Sequence, residues 1–153
     1  MTMAWLDHVN IRTANLAAVS RFYDEILGLP LGPRPPFGFP GAWHYCGDRA
    51  VVHLIEVPKA PLAKDPKIEH FAFRSTGLGD FVAKLRKKGV EHNAVRVPLT
   101  GIIQINVLDP DGNHIEIQFG AAEADAAPDA MDRVGDASPA LPTRRARKVK
   151  QPA

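Results

Sequence analysis

An eight-residue pattern occurs twice in this sequence and constrains the fold more than any other feature. Residues 6–13 and residues 68–75 both read apolar, acidic, His, apolar, variable, apolar, Arg, hydroxyl, with no insertion or deletion between the copies. Each copy is followed by apolar residues at helical spacing, and each helical pattern ends at a glycine, Gly28 or Gly89. The sequence therefore predicts two copies of one structural module.

Short β-like runs follow each predicted helix, so that both modules are expected to have the order βαβββ. The runs are residues 42–46 and 50–57 in the first copy, and residues 91–97, 101–108 and 113–119 in the second. The proline-rich residues 31–40 favour an edge strand or an exposed loop, because proline cannot donate a ladder hydrogen bond.

The modules are assigned to residues 4–57 and 67–120, and together they make one α+β domain, residues 1–120. We expect a curved mixed sheet with a concave metal-site face and helices on its outer face. Residues 121–153 are rich in Ala, Pro, Asp and Arg, lack hydrophobic periodicity, and are predicted to be a disordered tail. The basic run 144–150 within that tail is interpreted as a solvated end.

Charge and composition argue against several functional classes. The 19 basic and 17 acidic side chains give a net charge of +2, which is too small to predict nucleic-acid or membrane binding. Cys46 is the single cysteine, no secretion leader is recognised, and no apolar stretch reaches the roughly 20 residues of a membrane span. A cytoplasmic protein acting on a small molecule is expected.

Strand parity predicts a polar face that carries the candidate functional residues. His8 and His70 occupy the same position in the two copies, and His53 and Glu116 occupy matching positions near the ends of the two modules. Successive strand side chains point to opposite faces, so these residues lie on the face away from the apolar core. Two modules related by a pseudo-twofold axis would bring all four side chains towards one ion.

The remaining polar residues of the predicted strands receive less specific interpretations. His44 and His92 have no partner in the repeat, and His114 adjoins a turn, so all three are expected to be solvated. Gln104 and Asn106 either orient a substrate or are solvated polar groups on a half-exposed strand.

In the order and spacing of its motifs, the chain resembles the vicinal oxygen chelate superfamily of glyoxalase I, extradiol dioxygenases, fosfomycin-resistance thiol transferases and bleomycin-binding proteins. The resemblance covers residues 4–120 and is carried by residues 6–9, 22–29, 68–70 and 109–116. It implies that the family's two metal-binding histidines and its glutamate correspond to His8, His70 and Glu116. The fourth ligand position, usually acidic or Gln in glyoxalase I, is His53 here.

The resemblance implies a divalent-metal-dependent enzyme, either a lyase or isomerase or a dioxygenase, that chelates neighbouring oxygens of a small oxygen-rich substrate. Such an enzyme stabilises an enolate or alkoxide, with Glu116 and His53 as candidate catalytic residues. Fe2+, Zn2+, Mn2+ and Ni2+ all accept His and carboxylate ligands, so the metal is left open. His53 is either a fourth ligand or a nearby proton shuttle.

The alternative function is a metal-independent, ligand-binding protein of the bleomycin-resistance type. The family also implies a homodimer, in which modules pair within one chain or are exchanged between chains. The sequence leaves both questions open.

Overall fold

The computed structural model describes residues 5–62 and 67–131. These residues form two compact units. The first contains residues 5–62, 67–69 and 109–111, and the second contains residues 70–108 and 112–131. Among the residues described, no helix has the length and apolar character that crossing a membrane requires.

The first unit is built on a three-stranded mixed sheet. Its strands are β1 (Val9–Thr13), β2 (Gly41–Cys46) and β3 (Arg49–Glu56), in the order β1-β3-β2. Strand β1 runs parallel to β3, and β2 runs antiparallel to it. A parallel pair needs a crossover, and here helix α1 (Leu16–Arg21) lies in the connection between β1 and β2.

Helix α1 continues as a π-helical turn, Phe22–Ile26, and the chain reverses at Gly28, whose φ is 71°. Asn15 precedes the helix, but its side chain makes no capping hydrogen bond. Its backbone N–H instead donates to Thr13 Oγ1 at 2.9 Å. Val19 and Tyr23 are fully buried, so the helical apolar stripe forms part of the core.

The predicted weak strand of the first module is reduced to one β-bridge, between Leu31 and His44. Prolines at positions 30, 33, 35 and 36 leave few backbone N–H groups to extend the pairing. The side chain of Tyr45 holds this segment, since its hydroxyl donates to the Pro33 carbonyl at 2.7 Å. The first module is therefore a βαβββ unit with a truncated strand.

The second unit contains the complete βαβββ module. Its elements are β4 (His70–Arg74), α2 (Leu78–Lys88), β5 (His92–Arg96), β6 (Ile103–Leu108) and β7 (His114–Phe119), and its strand order is β4-β7-β6-β5. Strand β4 is parallel to β7, and the other pairs are antiparallel. The α+β class and the module order predicted from the repeat are confirmed.

Ordered structure extends beyond residue 120, where the predicted tail begins. Helix α3 (Ala122–Ala126) is followed by a 3-10 turn, Pro128–Ala130. Glu123 Oε2 in α3 accepts hydrogen bonds from the backbone N–H groups of Gly77 and Leu78, at 2.7 and 2.9 Å. These groups start α2 and have no partner within the helix, so the beginning of the predicted tail caps α2. Residues 132–153 of the predicted tail, including its basic run, lie outside the described residues.

Candidate functional site

The two modules place their predicted ligands at equivalent register positions. In the first unit His53 on β3 is opposite Asn10 on β1, two residues after His8. In the second unit Glu116 on β7 is opposite Ala72 on β4, two residues after His70. Strand pairing therefore gives the same correspondence of His53 with Glu116 that the sequence repeat indicates.

His8 lies just before β1 and is oriented by an acidic neighbour. Its Nδ1 donates to Asp7 Oδ2 at 2.8 Å, and Arg49 Nη2 lies 3.7 Å from the other carboxylate oxygen. The hydrogen bond from His8 lowers the pKa of Asp7 below its usual value, with smaller contributions from the nearby positive charges. A carboxylate on one ring nitrogen fixes the tautomer and leaves Nε2 as the nitrogen with a lone pair, as is common for metal-binding histidines.

His53 packs face to face with two other rings. Its centroid lies 4.0 Å from that of His8, with 19° between the planes, and 4.0 Å from that of Trp43, with 8°. Burial lowers the pKa of His53, and the charge of His8 adds to the effect. Because a histidine binds metal through a lone pair in its ring plane, two nearly parallel stacked rings do not direct their lone pairs at a common ion.

His70 and Glu116 form the central pair of the second unit. His70 Nε2 lies 4.0 Å from Glu116 Oε2, and the glutamate side chain is only 7% exposed. Gln118 Nε2 donates to Glu116 Oε1 at 2.7 Å, which orients the carboxylate. The structure therefore brings together two of the predicted residues in each unit. That both pairs share one ion stays a prediction.

His114, predicted to be solvated, is instead buried, with 5% of its surface exposed. Its ring lies 5.0 Å from that of His70, and its Nε2 is 2.8 Å from Asn106 Oδ1. Ligand atoms of Glu69, His70 and His114 all lie within 4.8 Å of one another. The turn next to His114 suggested exposure, but β7 is an inner strand and pairs His114 directly with His70. The parallel pairing of β4 and β7 is the feature that would have identified it.

His44 has a structural role, which corrects its predicted solvation, and His92 is only partly exposed. His44 is fully buried on β2, with Nδ1 2.8 Å from the Leu29 carbonyl and Nε2 2.9 Å from Ser20 Oγ. His92 is half-buried, with Nδ1 3.0 Å from the Val90 carbonyl. The alternation of β2 sends His44 to the same buried face as Ala42, where both ring nitrogens find partners.

Aromatic residues extend the stack of the first unit to the surface. Phe37 lies 6.1 Å from Trp43 and 5.4 Å from Phe39, and both phenylalanine side chains are exposed. The guanidinium of Arg34 lies 4.8 and 5.0 Å from these two phenylalanine rings and donates to the Phe39 carbonyl at 3.0 Å. Arg34 is thus held by cation–π contacts in an aromatic cluster.

Comparison with known proteins agrees with this fold. A glyoxalase family protein of Enterococcus faecalis is 24% identical and covers 77% of this chain and 99% of its own, with a TM-score of 0.62. A lactoylglutathione lyase from Agrobacterium tumefaciens is 17% identical and covers 80% and 98%, with a TM-score of 0.61. At such identities the likeness concerns the fold alone.

A glyoxylase/bleomycin resistance protein/dioxygenase domain from Frankia is 19% identical and covers 78% of this chain and 99% of its own, with a TM-score of 0.66. No curated protein gives a significant match to the sequence. The family model for the Glyoxalase/Bleomycin resistance protein/Dioxygenase superfamily matches residues 5–117, which is most of the chain. The chain belongs to the glyoxalase/bleomycin resistance protein/dioxygenase superfamily.

Proposed function

We propose that this protein is a divalent-metal-dependent enzyme of the glyoxalase or dioxygenase type, acting on a small molecule with two neighbouring oxygens. The observation that carries the proposal is the buried carboxylate of Glu116, whose Oε2 lies 4.0 Å from His70 Nε2. A buried carboxylate needs a compensating positive charge, and a metal ion supplies one.

The donor set fits such an ion. Ligand atoms that each lie about 2.1 Å from one metal are roughly 3 to 4 Å apart, which agrees with the separation of His70 and Glu116. Imidazole nitrogen and carboxylate oxygen suit Fe2+, Zn2+, Mn2+ and Ni2+. We assign His8, His70 and Glu116 as the residues that hold the ion. The bound ion would act as a Lewis acid on two neighbouring substrate oxygens.

The surrounding residues fix these ligands. Asp7 orients the ring of His8, and Gln118 orients the carboxylate of Glu116. His53 stacks on His8, so we assign it a place beside the ligands rather than a coordination position. There an imidazole nitrogen of His53 would accept and return a substrate proton. In this proposal Glu116 is a ligand and His53 the proton-transfer residue.

Metal binding measured by calorimetry and by mass spectrometry of metal content tests the proposal. We expect about one divalent ion per chain in the wild type, lost in His8→Ala, His70→Ala and Glu116→Ala, because each removes one of the few donors. His92→Ala is the matched control, since that half-buried histidine lies outside the proposed ligand set. Wild-type affinity in Glu116→Ala would disprove the assignment.

A second candidate function, metal-independent ligand binding, is favoured by the aromatic cluster of Arg34, Phe37, Phe39 and Trp43. Exposed rings beside a cation suit a planar, anionic ligand. If the wild type and the ligand variants bind metal equally poorly, this candidate replaces the first. Light scattering would test the accompanying expectation of a homodimer.

A further inference from the structure

A row of side chains crosses the sheet of the second unit through Glu116. Strand pairing places Asn106 on β6 opposite Glu116 on β7. On the other side of β7, Ala72 on β4 is also opposite Glu116. Residues opposite one another in neighbouring strands share a face and are separated by roughly 5 Å between Cβ atoms. Asn106 is therefore an immediate neighbour of the proposed ligand Glu116, while Ala72 contributes only a methyl group.

Asn106 is almost completely buried, with 1% of its surface exposed. Its Oδ1 accepts a hydrogen bond from His114 Nε2 at 2.8 Å. Its amide nitrogen, Nδ2, is also buried, and has no hydrogen-bond partner among the described residues. The oxygen of this amide is therefore satisfied by the protein, and its nitrogen is a buried donor that finds no acceptor within residues 5–62 and 67–131.

The two ordinary explanations for a polar residue on a strand do not account for Asn106. Solvation was one of the two interpretations that the sequence allowed for Asn106. A solvated side chain would be exposed, whereas Asn106 is buried. A purely structural asparagine would have both polar atoms paired, because an unpaired buried N–H group is unfavourable and rare. A ligand atom that accepts a hydrogen bond would satisfy Nδ2.

We propose that Asn106 is a substrate-binding residue, whose amide N–H donates to a carbonyl or carboxylate oxygen of the molecule bound beside Glu116. This inference rests on the proposed function and narrows its substrate class. Since Nδ2 only donates, the substrate atom that meets it is an acceptor oxygen, as in a small 2-oxo acid, and not an amine.

The other half of the amide has a positioning role. Asn106 Oδ1 only accepts, so His114 Nε2 carries the proton of that hydrogen bond. In the neutral ring of His114 the lone pair is then at Nδ1. Asn106 thereby fixes the tautomer of a buried histidine whose ring is 5.0 Å from the proposed ligand His70.

The test uses pyruvate, a 2-oxo acid with neighbouring oxygens, titrated into the Zn2+-loaded full-length protein and followed by NMR. The side-chain amide signals of Asn106 are assigned by their absence in Asn106→Asp. We expect these signals to move downfield as pyruvate binds. Unmoved signals at saturating pyruvate would overturn the proposal.

Two variants remove the donor with opposite side effects. Asn106→Asp keeps an acceptor for His114 but adds a charge, whereas Asn106→Leu adds no charge but removes that acceptor. Loss of a hydrogen bond to a charged group predicts about tenfold weaker pyruvate binding in both. Gln104→Leu, two residues earlier on the same face of β6, is the matched control and should bind as the wild type does. Weakening in only one of the two Asn106 variants would contradict the proposal.

The same titration without metal separates this inference from the proposed function. If the wild type fails to bind Zn2+, the proposal of a metal-dependent enzyme is refuted. The role of Asn106 is still supported in that case if both Asn106 variants of the metal-free protein bind pyruvate more weakly than the wild type does. Equal binding by all variants, or no binding of pyruvate to the wild type in either form, would overturn it.

Discussion

Gln118 and Glu116 lie two residues apart on β7, and the amide nitrogen of Gln118 donates to Glu116 Oε1 at 2.7 Å. The bond joins neighbours on one face of the strand, and Arg74 Nη2 in turn donates to Gln118 Oε1 at 3.2 Å. One carboxylate oxygen is thereby held, and the other lies 4.0 Å from His70 Nε2.

Removing the hydrogen bond from Gln118 to Glu116 should weaken metal binding without abolishing it. In Gln118→Leu we expect roughly 10-fold to 100-fold lower metal affinity by calorimetry, the range found when residues that orient a ligand are removed. Arg74→Ala, one step further from the carboxylate, should have a smaller effect. A loss of metal affinity in Gln118→Leu as large as in Glu116→Ala would show that Gln118 is itself a ligand.

The stacked ring of His53 allows a direct test of its role. His53→Phe keeps a flat ring between His8 and Trp43 but removes both ring nitrogens. We expect metal affinity to stay within about threefold of wild type, since one coordinate bond would be worth far more. Turnover should fall, because the proton-transfer group is gone. A loss of metal as complete as in His8→Ala would instead establish His53 as a ligand.

Glu123 provides a stability prediction away from the site. Its carboxylate accepts hydrogen bonds from two backbone N–H groups at the start of α2. Glu123→Ala should lower the free energy of unfolding by about 0.5 to 2 kcal/mol, the usual cost of losing a helix cap. Urea denaturation measures it. Asp125→Ala is the control. This exposed carboxylate makes a 3.4 Å surface contact with Arg96, and its removal should cost less than about 1 kcal/mol.

Tyr23 makes the stability of the folded protein depend on pH in the alkaline range. Burial raises the pKa of its phenol far above the usual value, and Asp109, which accepts its hydrogen bond at 3.3 Å, adds to the shift. The unfolded phenol titrates near pH 10, so the folded state favours the protonated form. This contribution to stability is complete below about pH 10 and is lost as the pH rises further.

The measurement uses Tyr45→Phe, which leaves Tyr23 as the only tyrosine. Phenolate absorbance at alkaline pH should then appear only together with the loss of secondary structure by circular dichroism. Titration of Tyr23 in a protein that remains folded would contradict the burial argument. Urea unfolding at pH 9 and at pH 11 should show lower stability at the higher pH.

The repeat was sufficient to predict much of this architecture. Residues 6–13 and 68–75 carry the same pattern, and both copies become a strand that pairs in parallel with the last strand of its module. Helix ends were also predictable, because Gly28 and Gly89 both adopt positive φ, a conformation in which glycine avoids the steric cost of a side chain.

Side-chain environments were much less predictable than the strands that carry them. His44, His92 and His114 were all expected in solvent, yet His44 and His114 are buried. Burial of a strand residue depends on which element covers its face, and the nearby turn gave no information about that. For the same reason, the burial of Asn106 and the cap supplied by Glu123 became visible only in the folded unit.

By itself the sequence determined the repeated module, its α+β class and the equivalence of His53 with Glu116, because periodicity and repeat spacing are properties of the chain. Only the tertiary structure decided that His53 stacks between two rings, that Gln118 holds Glu116, and that the amide of Asn106 is half satisfied. The contacts of His53 and Asn106 join atoms from different segments of the chain, so their distances are set by register and packing rather than by sequence spacing. The bond between Gln118 and Glu116, two residues apart on β7, depends on how both side chains are oriented in the folded sheet.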